Sequence, residues 1–165
     1  AALDLWANVT GTMGAPFDSY MTLRGVRTLF PRMERQQRTA GAIALFLRSH
    51  SAVAQVYYPG LPDHPGHEIA ARQQKGFGAM LGFELRGGSE AVRRFVESLT
   101  IFTFAESLGG VESLIAHPKT MTHVYLSPEK MDAAGIVDGL LRLSIGLEDQ
   151  NDLIGDLTQA LAAGK

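Results

Sequence analysis

A small α/β domain, one sheet with helices mainly on one face, is the architecture this sequence predicts, and three observations carry it. Short apolar, β-rich runs recur at 53–58, 78–85, 101–104 and 139–145. Segments with apolar residues at helical spacing separate them. Four such runs are too few for a doubly wound sheet, which leaves a compact sandwich. With 165 residues, no repeat and no low-complexity linker, residues 1–165 read as one domain. A chain of that length buries roughly two-thirds of its unfolded surface.

Each element has a local reason. Ala1 to Trp6 enters an apolar pattern at once, and Gly11-Thr12-Met13-Gly14-Ala15-Pro16 breaks it. Phe17, Tyr20, Met21, Leu23 and Leu29 then recur at helical spacing, with Pro31 ending or kinking the segment. A second helix is expected from about Arg32 to Arg48, burying Met33, Ala40, Ile43, Ala44 and Leu47. Arg32, Arg35 and Arg38, with Gln36 and Gln37 between them, read as its solvated face. Val53 to Tyr58 is a strand that stops at Pro59-Gly60, and His67 to Gln74 a short helix. Gly78 to Leu85 is a buried strand closed by Arg86-Gly87-Gly88, after which Ser89 is expected to cap a helix running to Leu99. Ile101 to Phe104 is a short strand feeding a Ser107-Gly109-Gly110 turn, and 118–125 is irregular. Ser127-Pro128 opens a short helix, Gly139 to Ile145 is a strand, and Asp149 to Ala163 an amphipathic helix.

Composition narrows the function. Hydrophobic residues make up 45% and charged residues 19%, as in an ordinary globule, and the net charge of −2 gives no basic footprint for nucleic acid. The absence of cysteine excludes disulfides, thiolate metal sites and a cysteine nucleophile, and fits a cytoplasmic setting. No apolar run reaches the roughly 20 residues needed to span a bilayer, and no signal peptide is visible, so no membrane role is expected.

Two stretches carry the chemistry. Ala105 to Ile115 holds a glycine-bearing turn rich in backbone donors, with the Ser107 hydroxyl and the carboxylates of Glu106 and Glu112 around it. Downstream, Arg142 sits inside an apolar strand, where a charge is costly unless paired. A guanidinium grips a carboxylate through a planar fork, so the set suits an amino acid's carboxylate. Alternation could instead turn Arg142 to solvent, or it could pair with Glu148 or Asp149. His64-Pro65-Gly66-His67-Glu68 offers metal-ligand residue types, but the Pro-Gly between the histidines breaks the helical spacing a zinc motif needs, and no metal is expected. Ser107 lacks a Gly-x-Ser-x-Gly elbow, which argues against a nucleophile paired with His117 or His123.

Phe17-Asp18-Ser19-Tyr20, Arg24 to Leu29 and Pro31-Arg32-Met33-Glu34 resemble the start of the C-terminal domain of Cys/Met-metabolism pyridoxal-phosphate enzymes. Tyr58 to Leu61, Gly66 to Ala70, Gly76 to Met80, Ala105 to Ile115, Met121-Thr122-His123, Gly146 to Asp149 and Asp152-Leu153-Ile154 continue the match in order. The resemblance implies the C-terminal domain of a fold-type I, aspartate aminotransferase-like enzyme using pyridoxal 5'-phosphate. It implies that Arg142 and Ser107 hold the substrate carboxylate, that Thr122 lies near substrate and the cofactor lysine, and that Glu106 tracks reaction specificity, glutamate marking γ chemistry. Val124-Tyr125 departs from the small residues many relatives carry there.

The implied activity of the full-length enzyme is γ-replacement, with an O-succinyl- or O-acetylhomoserine and cysteine giving cystathionine in methionine biosynthesis. Sister γ-lyase and homoserine-ester sulfhydrylase activities share the scaffold, and a non-enzymatic binding module on the same fold is the alternative of another class. The implied cofactor domain, with its Schiff-base lysine, precedes this stretch in the family. None of Lys75, Lys119, Lys130 and Lys165 stands in that lysine's context, so the 165 residues alone are expected to be inactive. The implied partners are amino-acid substrates, an N-terminal domain and neighbouring subunits of a homotetramer.

Overall fold

The computed structural model describes residues 2–12 and 14–163; Ala1, Met13 of the breaker cluster, Gly164 and Lys165 lie outside the described residues. The chain falls into two compact units, 1–32 and 33–165.

The first unit contains α1 (Ala2–Thr10), α2 (Pro16–Val26) and the first turn of α3 (Leu29–Ser49). The apolar pattern at the start of the sequence folds as helix α1. Pro16 opens α2, where a missing N–H costs nothing, and Arg27 closes it by donating its backbone N–H to the carbonyls of Leu23 and Gly25. Leu29 therefore belongs to α3 and not to the helix before it. Pro31 falls within the first turn of α3, where its lack of a donor is tolerated.

In the second unit, β1 (Val53–Tyr57), β2 (Met80–Leu85), β3 (Thr103–Phe104), β4 (Leu114–Ala116) and β5 (Leu140–Ser144) form one sheet in the order β1-β2-β5-β4-β3. All neighbours are antiparallel except β3 and β4, which are parallel. The helices are the rest of α3, α4 (His67–Gln73), α5 (Gly88–Ser98), α6 (Pro128–Ala133) and α7 (Gln150–Ala163). Strand alternation turns Leu81, Phe83 and Leu85 of β2 and Leu141 and Leu143 of β5 to the same face. There they share one buried cluster with Ile43, Ala44 and Leu47 of α3, Val92 and Phe95 of α5, and Leu153, Leu157 and Leu161 of α7. Helices α3, α5 and α7 thus line one face, and the other face is left for Gly82 and Arg142.

Two local expectations are corrected. Helix α5 begins at Gly88 behind Gly87, with φ values of 63° and 94°, so the chain enters the helix before Ser89 and no side chain caps it. Glycine takes those angles without a Cβ clash, so the turn, not the serine, sets the boundary. Gln36 is buried at 2% exposure, on the same stripe as Ala40 and Ile43 and not on the solvated face of α3.

One loop–helix contact fixes the β3 end of the sheet. The buried Asp156 of α7 accepts the backbone N–H groups of Thr100, Ile101 and Phe102 and the Thr100 hydroxyl at 2.8–3.1 Å. Burial pushes this carboxyl up, but the four donors outweigh it and hold the group below the ordinary aspartate value.

Candidate functional site

Arg142 projects from the face of β5 opposite the core, half-buried. In the cross-strand row it lies between Gly82 of β2 and Ala116 of β4, two small residues that leave a large side chain room. Beyond Gly82 comes Tyr57 of β1. Tyr57, Gly82, Leu140 and Arg142, with Ala134 and Gly135 after α6, line an open cleft of about 350 Å³.

The guanidinium reaches the bend. Arg142 Nη2 donates to the carbonyl of Glu106 at 2.9 Å and to that of Ser107 at 3.2 Å. Among the described residues it pairs with neither carboxylate that could have neutralised it. Glu148 is taken by Ser113, and Asp149 faces Arg35 at 3.6 Å. Arg142 Nη1 and Nε make no hydrogen bond to the described residues, so one edge of the fork is held while charge and donors remain for an anion.

The segment from Glu106 to Ser113 is clasped along its length by β5 and the residues that follow it. Gly109, at φ 78°, turns its N–H onto Ser144 Oγ at 2.9 Å. The Gln36 side-chain amide donates to the carbonyls of Gly110 and Ile145 at 2.8 and 3.0 Å. Leu147 N–H donates to Val111 O at 2.8 Å. The Ser113 N–H and hydroxyl donate to the two oxygens of Glu148 at 2.8 and 2.7 Å, and Ser113 Oγ accepts the Gly146 N–H at 2.8 Å. Gly146 is required by this approach, because a Cβ there would stand 2.4 Å from the Val111 carbonyl oxygen.

The structure therefore brings Arg142, Glu106 and Ser107 together, the latter two with exposed side chains. Thr122 is half-buried and its hydroxyl bonds His123 Nδ1 at 2.7 Å; no hydrogen bond joins it to that group among the described residues. Gln36, Ser144 and the Ser113–Glu148 pair were not among the residues singled out from sequence. The signal for Gln36 was its place four residues before Ala40 and seven before Ile43, on the buried stripe. The signal for Ser144 was strand parity with Arg142.

The histidines have structural partners. His64 Nδ1 accepts the Gly66 N–H, and His67 bonds the Pro59 carbonyl while its ring stacks on Phe77 at 5.2 Å. Buried His117 sits between Thr120 Oγ1 and the Asp138 carbonyl, and desolvation pushes its imidazole below the usual value. Of the lysines, Lys75 and Lys130 are exposed and Lys119 is paired with Asp138. Among the described residues, no helix is long and apolar enough to cross a membrane.

Comparison with known proteins extends this geometry. The profile of the family described as Cys/Met metabolism PLP-dependent enzyme matches residues 1–162. Cystathionine gamma-synthase of Escherichia coli (strain K12) is 58% identical over 96% of this chain, and cystathionine gamma-lyase of Dictyostelium discoideum 49% identical over 98%. The chain spans 41% and 42% of the lengths of those relatives. A crystal structure of cystathionine gamma synthase from Xanthomonas oryzae pv. oryzae, in complex with aminoacrylate and cysteine, matches with a TM-score of 0.93 at 59% identity. It covers 97% of this chain and 41% of the other.

Proposed function

The chain belongs to the Cys/Met metabolism PLP-dependent enzyme family, and from that premise we propose that it is the C-terminal, substrate-holding part of a cystathionine γ-synthase. The intact enzyme replaces the γ-acyloxy group of an O-acylhomoserine by the thiol sulfur of cysteine. One C–S bond forms, one C–O bond breaks, and cystathionine and the free acid leave. The observation that carries the reading is the Arg142 guanidinium, seated at the bend beside Ser107 with Nη1 and Nε still open.

Arg142 binds the substrate's α-carboxylate through those donors, and the Ser107 hydroxyl adds a donor on the same side. Held at that end, the substrate keeps its α-carbon in one orientation, and orientation alone accounts for a large part of many enzymatic accelerations. Glu106, exposed next to Ser107, faces the side-chain end of the substrate, and Thr122 borders the cofactor's lysine. Pyridoxal phosphate, when bound, supplies the electron sink for carbanion character beside the amino group. The described residues fit the substrate carboxylate and not the cofactor itself: the described lysines are exposed or ion-paired. On this reading the Schiff-base lysine comes from the cofactor domain, and these 165 residues alone turn nothing over. Residues such as Leu3, Trp6, Phe17 and Phe30, at 84%, 65%, 70% and 82% exposure, are apolar surface for the cofactor domain or a neighbouring subunit to cover.

The test is an assay of the intact polypeptide with O-succinylhomoserine and O-acetylhomoserine, with and without cysteine. Cystathionine formed in step with acid release, and dependent on cysteine, supports the synthase. Cleavage of cystathionine or methionine in preference assigns a γ-lyase, and use of sulfide in place of cysteine assigns a sulfhydrylase.

A further inference from the structure

We infer that Glu148 is a positioning residue for the carboxylate site, acting through Ser113 and never on the substrate itself. Glu148 lies just beyond β5 and grips Ser113 with both carboxylate oxygens, one on the backbone N–H and one on the hydroxyl. Ser113 is fully buried, and its Oγ in turn accepts the N–H of Gly146. Three hydrogen bonds thereby close one ring joining the end of the 106–113 segment to the residues that follow Arg142. A buried hydroxyl that donates once and accepts once, both at short distance, has its rotor fixed and not merely tolerated.

The position of this ring gives it leverage. The two ends of the tract from Ser107 to Arg142 meet at Arg142 Nη2, where the carbonyls of Glu106 and Ser107 are exposed and held by one nitrogen. Exposed carbonyl contacts of that kind are weak alone, since water competes for both partners. Side chains at 106–109 are solvent-exposed, so little packing orders the bend from outside. What keeps Ser107 over Arg142 is therefore the series of bonds running down the segment, and the Glu148–Ser113 ring is the one among them that carries a carboxylate. Leu147 N–H to Val111 O lies directly beside it, and Gly146 has no room for a Cβ against Val111 and Glu112. A slip of the segment at Ser113 carries the Ser107 hydroxyl and the open edge of Arg142 out of register.

This inference rests on Arg142 as the carboxylate ligand, and the experiment separates the two. The intact enzyme is prepared as wild type, Glu148→Gln, Ser113→Ala, the double variant, and Asp149→Asn as a neighbouring control. KM and kcat are measured for an O-acylhomoserine and for its α-carboxamide, with amide hydrogen exchange followed in the same proteins. For Glu148→Gln and for Ser113→Ala, KM for the acid is expected to rise about tenfold while kcat changes less, and preference for acid over carboxamide is expected to fall about tenfold. The double variant is expected to match the worse single one, because both remove one ring. Exchange is expected to quicken at Gly109 and Leu147 while Leu141 and Leu143 stay protected, and Asp149→Asn is expected to behave as wild type. Unchanged acid-over-amide preference in folded Glu148→Gln and Ser113→Ala overturns the inference, as does faster exchange spread evenly through the sheet. A wild type that prefers acid and carboxamide equally overturns the carboxylate reading of Arg142, and this inference with it.

Discussion

Replacing Arg142 tests the proposed site most directly, and the structure fixes the size of the effect. Arg142→Ala removes the donors left open at Nη1 and Nε and the two bonds from Nη2 to the carbonyls of Glu106 and Ser107. A hydrogen bond to a charged partner contributes about 1.5–3 kcal/mol. Two such bonds to a substrate carboxylate, discounted because the side chain is half-buried and partly screened, leave about 2–4 kcal/mol. At 1.36 kcal/mol per decade this is a loss of roughly 30- to 1000-fold in kcat/KM. Arg142→Lys keeps the charge but not the planar fork, and roughly a tenfold loss is expected, mostly in KM. The carbonyls of Glu106 and Ser107 are released to water, so the cost to folding is small, within about 1 kcal/mol. The assay is steady-state kinetics of the intact enzyme with an O-acylhomoserine, with thermal unfolding as the control for integrity. A folded Arg142→Ala enzyme with wild-type kcat/KM refutes the reasoning, because no other guanidinium is bonded to the bend among the described residues.

The fold was legible where periodicity runs long enough to speak. Leu81, Phe83 and Leu85 alternate over six residues of β2, and Ile43, Ala44 and Leu47 repeat through the 21 residues of α3. Strand β4 was hidden because Leu114–Ala116 is three residues, all buried, and short uniform burial has no period. The Ser89 cap was misjudged because a positive-φ glycine pair can start a helix with no side-chain cap. Arg142 was conspicuous, as a charge within an apolar strand is. Glu148 was seen only as its possible partner, yet the structure spends Glu148 on Ser113, 35 residues away. Side-chain-to-backbone bonds between segments far apart leave no local pattern. The strand position of Arg142 is legible in the sequence, whereas the bonds that hold the bend beside it join residues far apart in the chain.

Three further outcomes are expected. Gly146→Ala places a Cβ 2.4 Å from Val111 O, so it is expected to loosen the 106–113 segment and destabilise the protein by about 1–3 kcal/mol, measured by denaturant unfolding; wild-type stability would contradict the close approach. Buried His117 stays neutral in the fold because desolvation lowers its pKa, so the unfolded chain takes up its proton first as pH falls below about 6.5. Its contribution to stability is complete above that value and declines as pH drops toward the folded pKa, and His117→Gln is expected to flatten that slope. Asp156 has the same sign at lower pH, because its folded pKa lies below the unfolded value of about 3.9. The stabilisation from its bonds to the 100–102 segment is complete above that value and is lost as pH falls through the folded pKa. Asp156→Asn leaves an amide whose NH₂ meets backbone donors, and at neutral pH a loss of about 2–4 kcal/mol is expected from urea unfolding. Between the two proteins the difference is expected to shrink as the solution is acidified below pH 4. A difference independent of pH would show that the ionised carboxylate is not what ties α7 to the strand end.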